Sequence, residues 1–190
     1  MKDTNSWTMK KGSIKYYNAT ANSYNQQYRE EQYRKYEAAL DALRIVKKDS
    51  ILDVGCGTGM FIKKTSKEAD LVIGVDISRR MVELANKKCK NLKNVLLICG
   101  DADHLSLKER IIDKAFSFTL LQNISDPRQM IREIIRVTKA DSKIILSADK
   151  RAFTREGFRK LLREVKVSIT HFITYEDLKG YIAICTKGSR

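Results

Sequence analysis

The apolar stretch Ile51-Leu52-Asp53-Val54 runs directly into Gly55-Cys56-Gly57-Thr58-Gly59, and apolar residues then resume through Met60, Phe61 and Ile62. Three glycines in five positions let the backbone take positive φ and come close to a ligand. A strand that feeds a glycine turn and opens a helix is the start of a βαβ unit, the building block of parallel sheets covered by helices. The spacing is GxGxG. It is not the GxGxxG that seats a pyrophosphate on a helix N-terminus, and an acidic residue, Asp53, stands two places before the first glycine. Such a loop suits a ligand with an ammonium group and a ribose and no pyrophosphate.

The rest of the chain repeats the alternation. Leu71 to Val75 reads as a second strand ending at Asp76, and Ser78 can cap a helix over Arg79 to Lys90. Asn94 to Cys99 reads as a third strand, Asp113 to Leu121 as a fourth and Lys143 to Ala148 as a fifth. Between the last two, Asp126-Pro127 marks a helix start, since proline suits the first helical position; Met130, Ile131, Ile134 and Val137 supply its apolar stripe. A helix is expected over Phe153 to Glu164, then strands over Val165 to Tyr175 and Gly180 to Lys187 that form a terminal antiparallel hairpin. Upstream, residues 1–12 are polar and read as a flexible tail. From Ser13 to Val46 the pattern is helical and holds six of the eight tyrosines.

In open α/β sheets ligands bind outside the carboxyl ends of the strands, where the unusual loops of this chain lie. Asp76 at the second strand end can accept both hydroxyls of a ribose. Asp101, after the third strand, can accept from an adenine amino group, and Ala102 offers a backbone N–H to the ring. Asp103 and His104 read as loop residues. Cys56 reads as a small buried residue beside the cofactor loop.

Composition narrows the class. A chain of 190 residues has room for one domain, expected over 13–190 with 13–48 as an N-terminal helical lid segment. No apolar run approaches the ~20 residues that span a bilayer, no secretory signal is evident, and four scattered cysteines without a CxxC pair argue against structural zinc. A soluble cytoplasmic protein without a metal is therefore expected. The formal charge of +14 fits a polyanionic partner such as RNA and equally fits lysines on solvated helix faces.

The segments 51–59, Gly74-Val75-Asp76-Ile77-Ser78 and Gly100-Asp101-Ala102 resemble the first three motifs of class I S-adenosylmethionine-dependent methyltransferases. Tyr17-Asn18-Ala19-Thr20-Ala21-Asn22-Ser23-Tyr24 resembles the lid segment of their ubiquinone-biosynthesis-like (type 11) subgroup. The resemblance implies a Rossmann-like, mostly parallel seven-stranded sheet with helices on both faces and the last strand inserted antiparallel. It implies S-adenosylmethionine as cofactor, with Gly55 and Gly57 at its methionine part, Asp76 at the ribose, Asp101 at the adenine, and Leu120 and Gln122 flanking the methyl donor. Asp53, Cys56, Ile77, Ala102, Tyr17 and Tyr24 complete the expected cofactor set. Asn123, Tyr17 and Tyr24 are candidates for orienting the substrate, while Tyr33 and Tyr36 read as core packing.

The acceptor is less legible. Gln122-Asn123-Ile124 stands where many relatives carry histidine, and no NPPY-type tetrapeptide or covalent-catalysis cysteine is present. Short connections after the fourth and fifth strands leave little to enclose a substrate. With the charge, that leans toward RNA or a translation-related protein; a small-molecule acceptor is the alternative, and a non-catalytic cofactor-binding partner the third reading. Apolar residues throughout 95–99, in a strand (94–99) expected at the sheet edge, suggest pairing there with a small activator subunit or a second copy.

Overall fold

In the computed structural model, which describes residues 3–188, a single seven-stranded sheet organises the chain. Its order is β3-β2-β1-β4-β5-β7-β6, where β1 is Ser50–Val54, β2 Leu71–Asp76, β3 Val95–Cys99, β4 Ile112–Ser117, β5 Thr138–Asp149, β6 Val167–Ile173 and β7 Gly180–Lys187. The pairs from β3 to β5 are parallel, and β7 lies antiparallel between β5 and β6. This is the expected architecture. The order reverses between β1 and β4, so their carboxyl ends flank the crevice where such sheets take ligands.

The core divides into two layers because alternate side chains of a strand point to opposite faces. Leu52, Ala115, Ile144 and Leu146 face one layer with Met130, Ile131 and Ile134 of α4 (Pro127–Val137) and Phe158 and Leu162 of α5 (Arg155–Glu164). Ile51, Phe116 and Ile145 face the other, with Phe61 of α2 (Met60–Thr65) and Tyr36. There Phe61 stacks within 5.0 Å of Tyr36 and 4.6 Å of Phe116, and such aromatic pairs add ~0.5–1.5 kcal/mol beyond their burial. Tyr36 is thus a core residue, as read.

The helix starts follow their caps. Ser78 Oγ accepts from Met81 N at the start of α3 (Arg79–Cys89), and Asp126 accepts from Arg128 N and Gln129 N ahead of Pro127. Two strand boundaries differ from expectation by more than two residues. β4 stops at Ser117 because Thr119 turns the chain at φ 57, and Leu121–Asn123 forms a 3-10 turn. β5 starts at Thr138, pairing with Ile112 before a register shift.

The larger correction concerns the N-terminus. The flexible tail expected over 1–12 is, from Asp3 onward, the first part of α1 (Asp3–Asp41), one continuous helix of 39 residues; Met1 and Lys2 lie outside the described residues. Polar composition and Gly12 concealed it, because its contacts are polar. Ser6 Oγ lies 2.8 Å from Ser125 Oγ, and Lys10 Nζ reaches Asp101 and Asp103 at 2.6 and 2.8 Å. At 1.5 Å per residue, α1 is long enough to run across the strand ends and down one face. The lid segment expected to reach residue 48 leaves the helix at Asp41.

β3 forms one edge of the sheet as expected, with Leu96 54% exposed. Among the described residues no helix is long and apolar enough to cross a membrane.

Gly74, central in β2, has no room for a side chain: an added Cβ would meet Ile62 Cδ1 at 2.4 Å, Leu97 Cδ2 at 2.7 Å and Cys56 Sγ at 2.9 Å. Overpacking from three directions should make Gly74→Ala less stable by about 1–3 kcal/mol in urea unfolding. Gly100→Ala, whose Cβ would meet nothing nearer than 3.4 Å, should be near neutral in the same experiment.

Candidate functional site

The glycine turn after β1 is built by backbone contacts that only these residues permit. Gly55, Gly57 and Gly59 have φ of 78°, 51° and 73°, the left-handed region that costs other residues energy. In this conformation Gly55 N and Cys56 N both donate to Val75 O, at 2.8 and 3.1 Å. A Cβ on Gly55 would press on the Leu120 side chain at 3.0 Å, whereas one on Gly57 would meet nothing within 4 Å. Gly57 therefore presents bare backbone to an open cleft.

Asp76 ties the turn to the end of β2. Its Oδ2 accepts from Gly57 N and its Oδ1 from Ser78 N, both at 2.8 Å, so each oxygen keeps lone-pair capacity for a ligand. Burial raises its proton affinity, and the two N–H contacts oppose the rise. Asp53 lies behind the turn, 3% exposed. Burial and then the charge of Asp76 push its pKa up to about 8. Two carboxylates thus share a site in which both cannot comfortably ionise.

At the end of β3, Asp101 Oδ1 accepts from Asp103 N at 3.0 Å while its Oδ2 holds Lys10. Burial alone would lower the proton affinity of Lys10, yet the hydrogen bonds and charges of Asp101 and Asp103 outweigh it and raise it. Asp103 is buried, its Oδ2 paired with Lys10, and thus holds α1 in place where a plain loop residue was expected. Further along α1, Asn18 Oδ1 accepts from Ser78 Oγ at 2.7 Å and Asn25 Oδ1 from Thr58 Oγ1 at 2.5 Å.

Tyr17, Tyr24, Gly55, Gly57, Asp76, Ile77, Asp101, Ala102, Leu120 and Asn123 line one cleft of about 720 Å³, its open mouth included. Of the other expected residues, Asp53 and Cys56 are buried and absent from the lining, the Cys56 thiol being packed toward Gly74. Gln122 faces a neighbouring cavity of about 700 Å³, lined also by Tyr16, Tyr28, Glu31, Gln32, Asp149 and Arg151. Tyr17, Tyr24, Thr119 and Asn123 line both cavities.

The sequence reading missed Lys10, Ser13, Met81, Phe118 and Thr119 in the first cleft. One signal was present: Lys10, Tyr17, Tyr24 and Glu31 recur every seventh residue, which places them along one side of a helix. Thr119 left no such trace. It is β-branched at φ 57, a conformation that persists only where surroundings over-determine it. Its N donates to Ser147 Oγ at 2.8 Å, its Oγ1 accepts from Gln32 and from the fully buried Lys35, and its carbonyl accepts from Gln122 and Asn123. Asn123 Nδ2 also donates to the Tyr17 hydroxyl at 2.9 Å. Burial pushes the Tyr17 pKa up to about 12 and raises Tyr24 also, so both phenols are protonated near neutrality.

Comparison with known proteins agrees with this geometry. The model of a methyltransferase domain family matches residues 52–146, half of the chain, and the chain belongs to that family. Solved structures of the S-adenosylmethionine-dependent class that its motifs resemble share this fold. An uncharacterized protein of Methanocaldococcus jannaschii is 29% identical over 90% of this chain and 69% of its own length. A demethylmenaquinone methyltransferase of Tropheryma whipplei is 27% identical over 72% of this chain and 58% of its own. The chain spans about half the length of the demethylmenaquinone, malonyl-acyl-carrier-protein and ubiquinone-biosynthesis methyltransferases among its relatives. Among solved structures, magnesium protoporphyrin IX methyltransferase from Synechocystis with bound SAM superposes with a TM-score of 0.79 at 21% identity, covering 95% of this chain and 97% of that one. The methyltransferase in complex with the Haloferax volcanii Trm112 methyltransferase activator superposes at 0.81 with 14% identity, covering 91% and 98%.

The raised pKa of Asp53 has a consequence for stability. Between its ordinary value of 3.8 and about 8 the folded chain holds a proton that the unfolded chain releases, so this residue lowers stability as pH rises through that window. Asp53→Asn should therefore melt higher than the parent at pH 8, with the gap shrinking toward pH 5. Melting curves whose gap is constant with pH would contradict this.

Proposed function

We propose that this chain transfers a methyl group from S-adenosylmethionine to a small-molecule acceptor that lies between α1 and the turn after β4. The observation that carries the reading is the junction of the two cavities at Tyr17, Tyr24, Thr119 and Asn123. One cavity has the chemistry of the cofactor and the other has room for an acceptor beside it.

The residues fit the cofactor. Asp76 has lone pairs free for ribose hydroxyls, and Gly57 offers an unobstructed backbone. Asp53 is a buried carboxyl behind the turn, near Asp76, and a positive charge in the cleft would lower its proton affinity without direct contact. Asp101 and Ala102 suit the adenine, with Lys10 sharing the Asp101 carboxylate; Ile77 and Leu120 supply apolar walls. When bound, S-adenosylmethionine supplies a methyl on a sulfonium, whose C–S electron pair stays with sulfur as the acceptor's lone pair bonds to carbon. The leaving group is already activated, so orientation alone can supply much of the rate, ~7–11 kcal/mol of barrier. Thr119 holds Asn123, Asn123 holds the Tyr17 hydroxyl, and these fix the junction of the cavities. Protonated Tyr17 and Tyr24 orient and exclude water; they do not take a proton.

The lean toward a macromolecular acceptor rested on the charge of +14 and on short connections after the fourth and fifth strands, and it is the second premise that the structure bears on. Here α1 supplies the enclosing wall, which removes that premise and favours a small molecule. Demethylmenaquinone, malonyl-acyl-carrier-protein and ubiquinone-biosynthesis methyltransferases among the relatives are consistent with it. A second reading, methylation of RNA or a translation-related protein with an activator on β3, keeps specific support. Edge strand β3 leaves Leu96 exposed, and one structural neighbour is seen in complex with an activator.

Asp76→Ala should weaken S-adenosylhomocysteine binding about ten- to a hundredfold, the loss of a charge-assisted pair, in calorimetry; an unchanged dissociation constant would remove Asp76 from the site. Tritiated cofactor incubated with extract should label the small-molecule fraction. Label confined to RNA or protein would select the second reading, and Leu96→Lys, at the exposed edge position, should then weaken capture of a partner.

A further inference from the structure

One of the chain's own cations already holds the carboxylate that the adenine is to use. We infer that Lys10 is an internal competitor for the adenine amino group. It lowers the affinity for the cofactor and sets the discrimination at the purine ring, and cofactor binding in turn loosens the first turns of α1. This rests on the reading of Asp101 as the adenine contact given above.

Both oxygens of Asp101 already have donors. Oδ1 accepts from Asp103 N at 3.0 Å and Oδ2 from Lys10 Nζ at 2.6 Å. Asp103 Oδ2 holds the same ammonium at 2.8 Å, and the Lys10 side chain is only 15% exposed. Lys10 lines the cleft together with Asp76, Asp101 and Ala102, so its charge stands within the site. The exocyclic amino group of adenine is a donor, and an ammonium likewise has no acceptor to offer it. On one carboxylate the two turn positive hydrogens toward each other, and the charged donor makes the stronger bond. The amino group therefore gains Asp101 fully only as Lys10 draws back. A purine with a carbonyl oxygen at that place meets the opposite situation, since Lys10 can donate to it.

The part of α1 that would yield is lightly held. Ser6 Oγ meets Ser125 Oγ at 2.8 Å, and Trp7 and Met9 stand 53% and 44% exposed. Packing of the helix into the apolar core begins only at Tyr24. By linkage, the affinity that the Lys10 contact takes from the cofactor is the affinity that the cofactor takes from the contact. A contact closed in about nine of ten molecules raises the apparent dissociation constant about tenfold.

The test compares the parent chain with Lys10→Met, which keeps an apolar stem and removes the ammonium. Calorimetry is run with S-adenosylhomocysteine and with S-inosylhomocysteine, which carries an oxygen in place of the adenine amino group. Lys10→Met should bind S-adenosylhomocysteine about tenfold tighter and S-inosylhomocysteine no tighter than the parent does. Trp7 is the only tryptophan of the chain, so its fluorescence anisotropy follows the first turns directly. It should fall when S-adenosylhomocysteine is added to the parent, and it should start low in ligand-free Lys10→Met. Equal or weaker binding of S-adenosylhomocysteine by Lys10→Met, an equal gain for both ligands, or a Trp7 anisotropy that holds or rises as the parent binds would overturn the inference alone. A parent and variant that both fail to bind S-adenosylhomocysteine would overturn the cofactor reading, and this inference with it.

Discussion

The hydrogen bond from Gly57 N to Asp76 joins the turn after β1 to the end of β2, and much of the site follows from it. The turn holds three left-handed residues within five positions, a shape that glycine alone adopts cheaply. Once made, it directs two successive N–H groups at Val75 O and leaves Gly57 bare toward the cleft. The same contact pulls Asp76 to the cleft floor beside Asp53. The two buried carboxylates repel, and Asp53 holds its proton to relieve them. A positively charged group beside them would favour the ionised form of both carboxyls.

The second organising element is α1. Its inner side carries different chemistry at successive turns: Lys10 at the Asp101 and Asp103 carboxylates, tyrosines over the cleft, and the buried Lys35 beneath Thr119. Its lower part is held by apolar packing around Tyr36 and Phe61, whereas its upper part is held by hydrogen bonds and ion pairs. Packing of α1 into the hydrophobic core begins only at Tyr24, so its first turns are the part of the helix most easily released. A cofactor could enter by that route without disturbing the core.

These two features meet at the turn after β4. Thr119 takes a conformation that its side chain disfavours, and α1 helps hold it there through Gln32 and Lys35. The result is a fixed arrangement of Gln122, Asn123 and Tyr17 between two cavities. No single residue in this group has an unusual sequence environment, which is why the reading of motifs passed over it.

By itself the sequence determined the sheet, the glycine turn and the acidic residues at the strand ends. Those depend on short-range patterns: alternation of apolar residues, glycines where φ must be positive, caps such as Ser78 and Asp126. Asp76 and Asp101 were legible for the same reason, whereas Tyr17 and Tyr24 were legible only through the resemblance of their segment to a known family. Tertiary structure alone decided the rest. Residues 3–12 became helix because Lys10 and Ser6 find partners more than ninety residues away, which no local propensity encodes. Thr119 became a pivot, and Gln122 turned to a second cavity, because side chains from α1, β5 and the 3-10 turn converge on one backbone position. Strand ends are written in the chain's local pattern; the space enclosed between α1 and those ends depends on contacts between residues far apart in it.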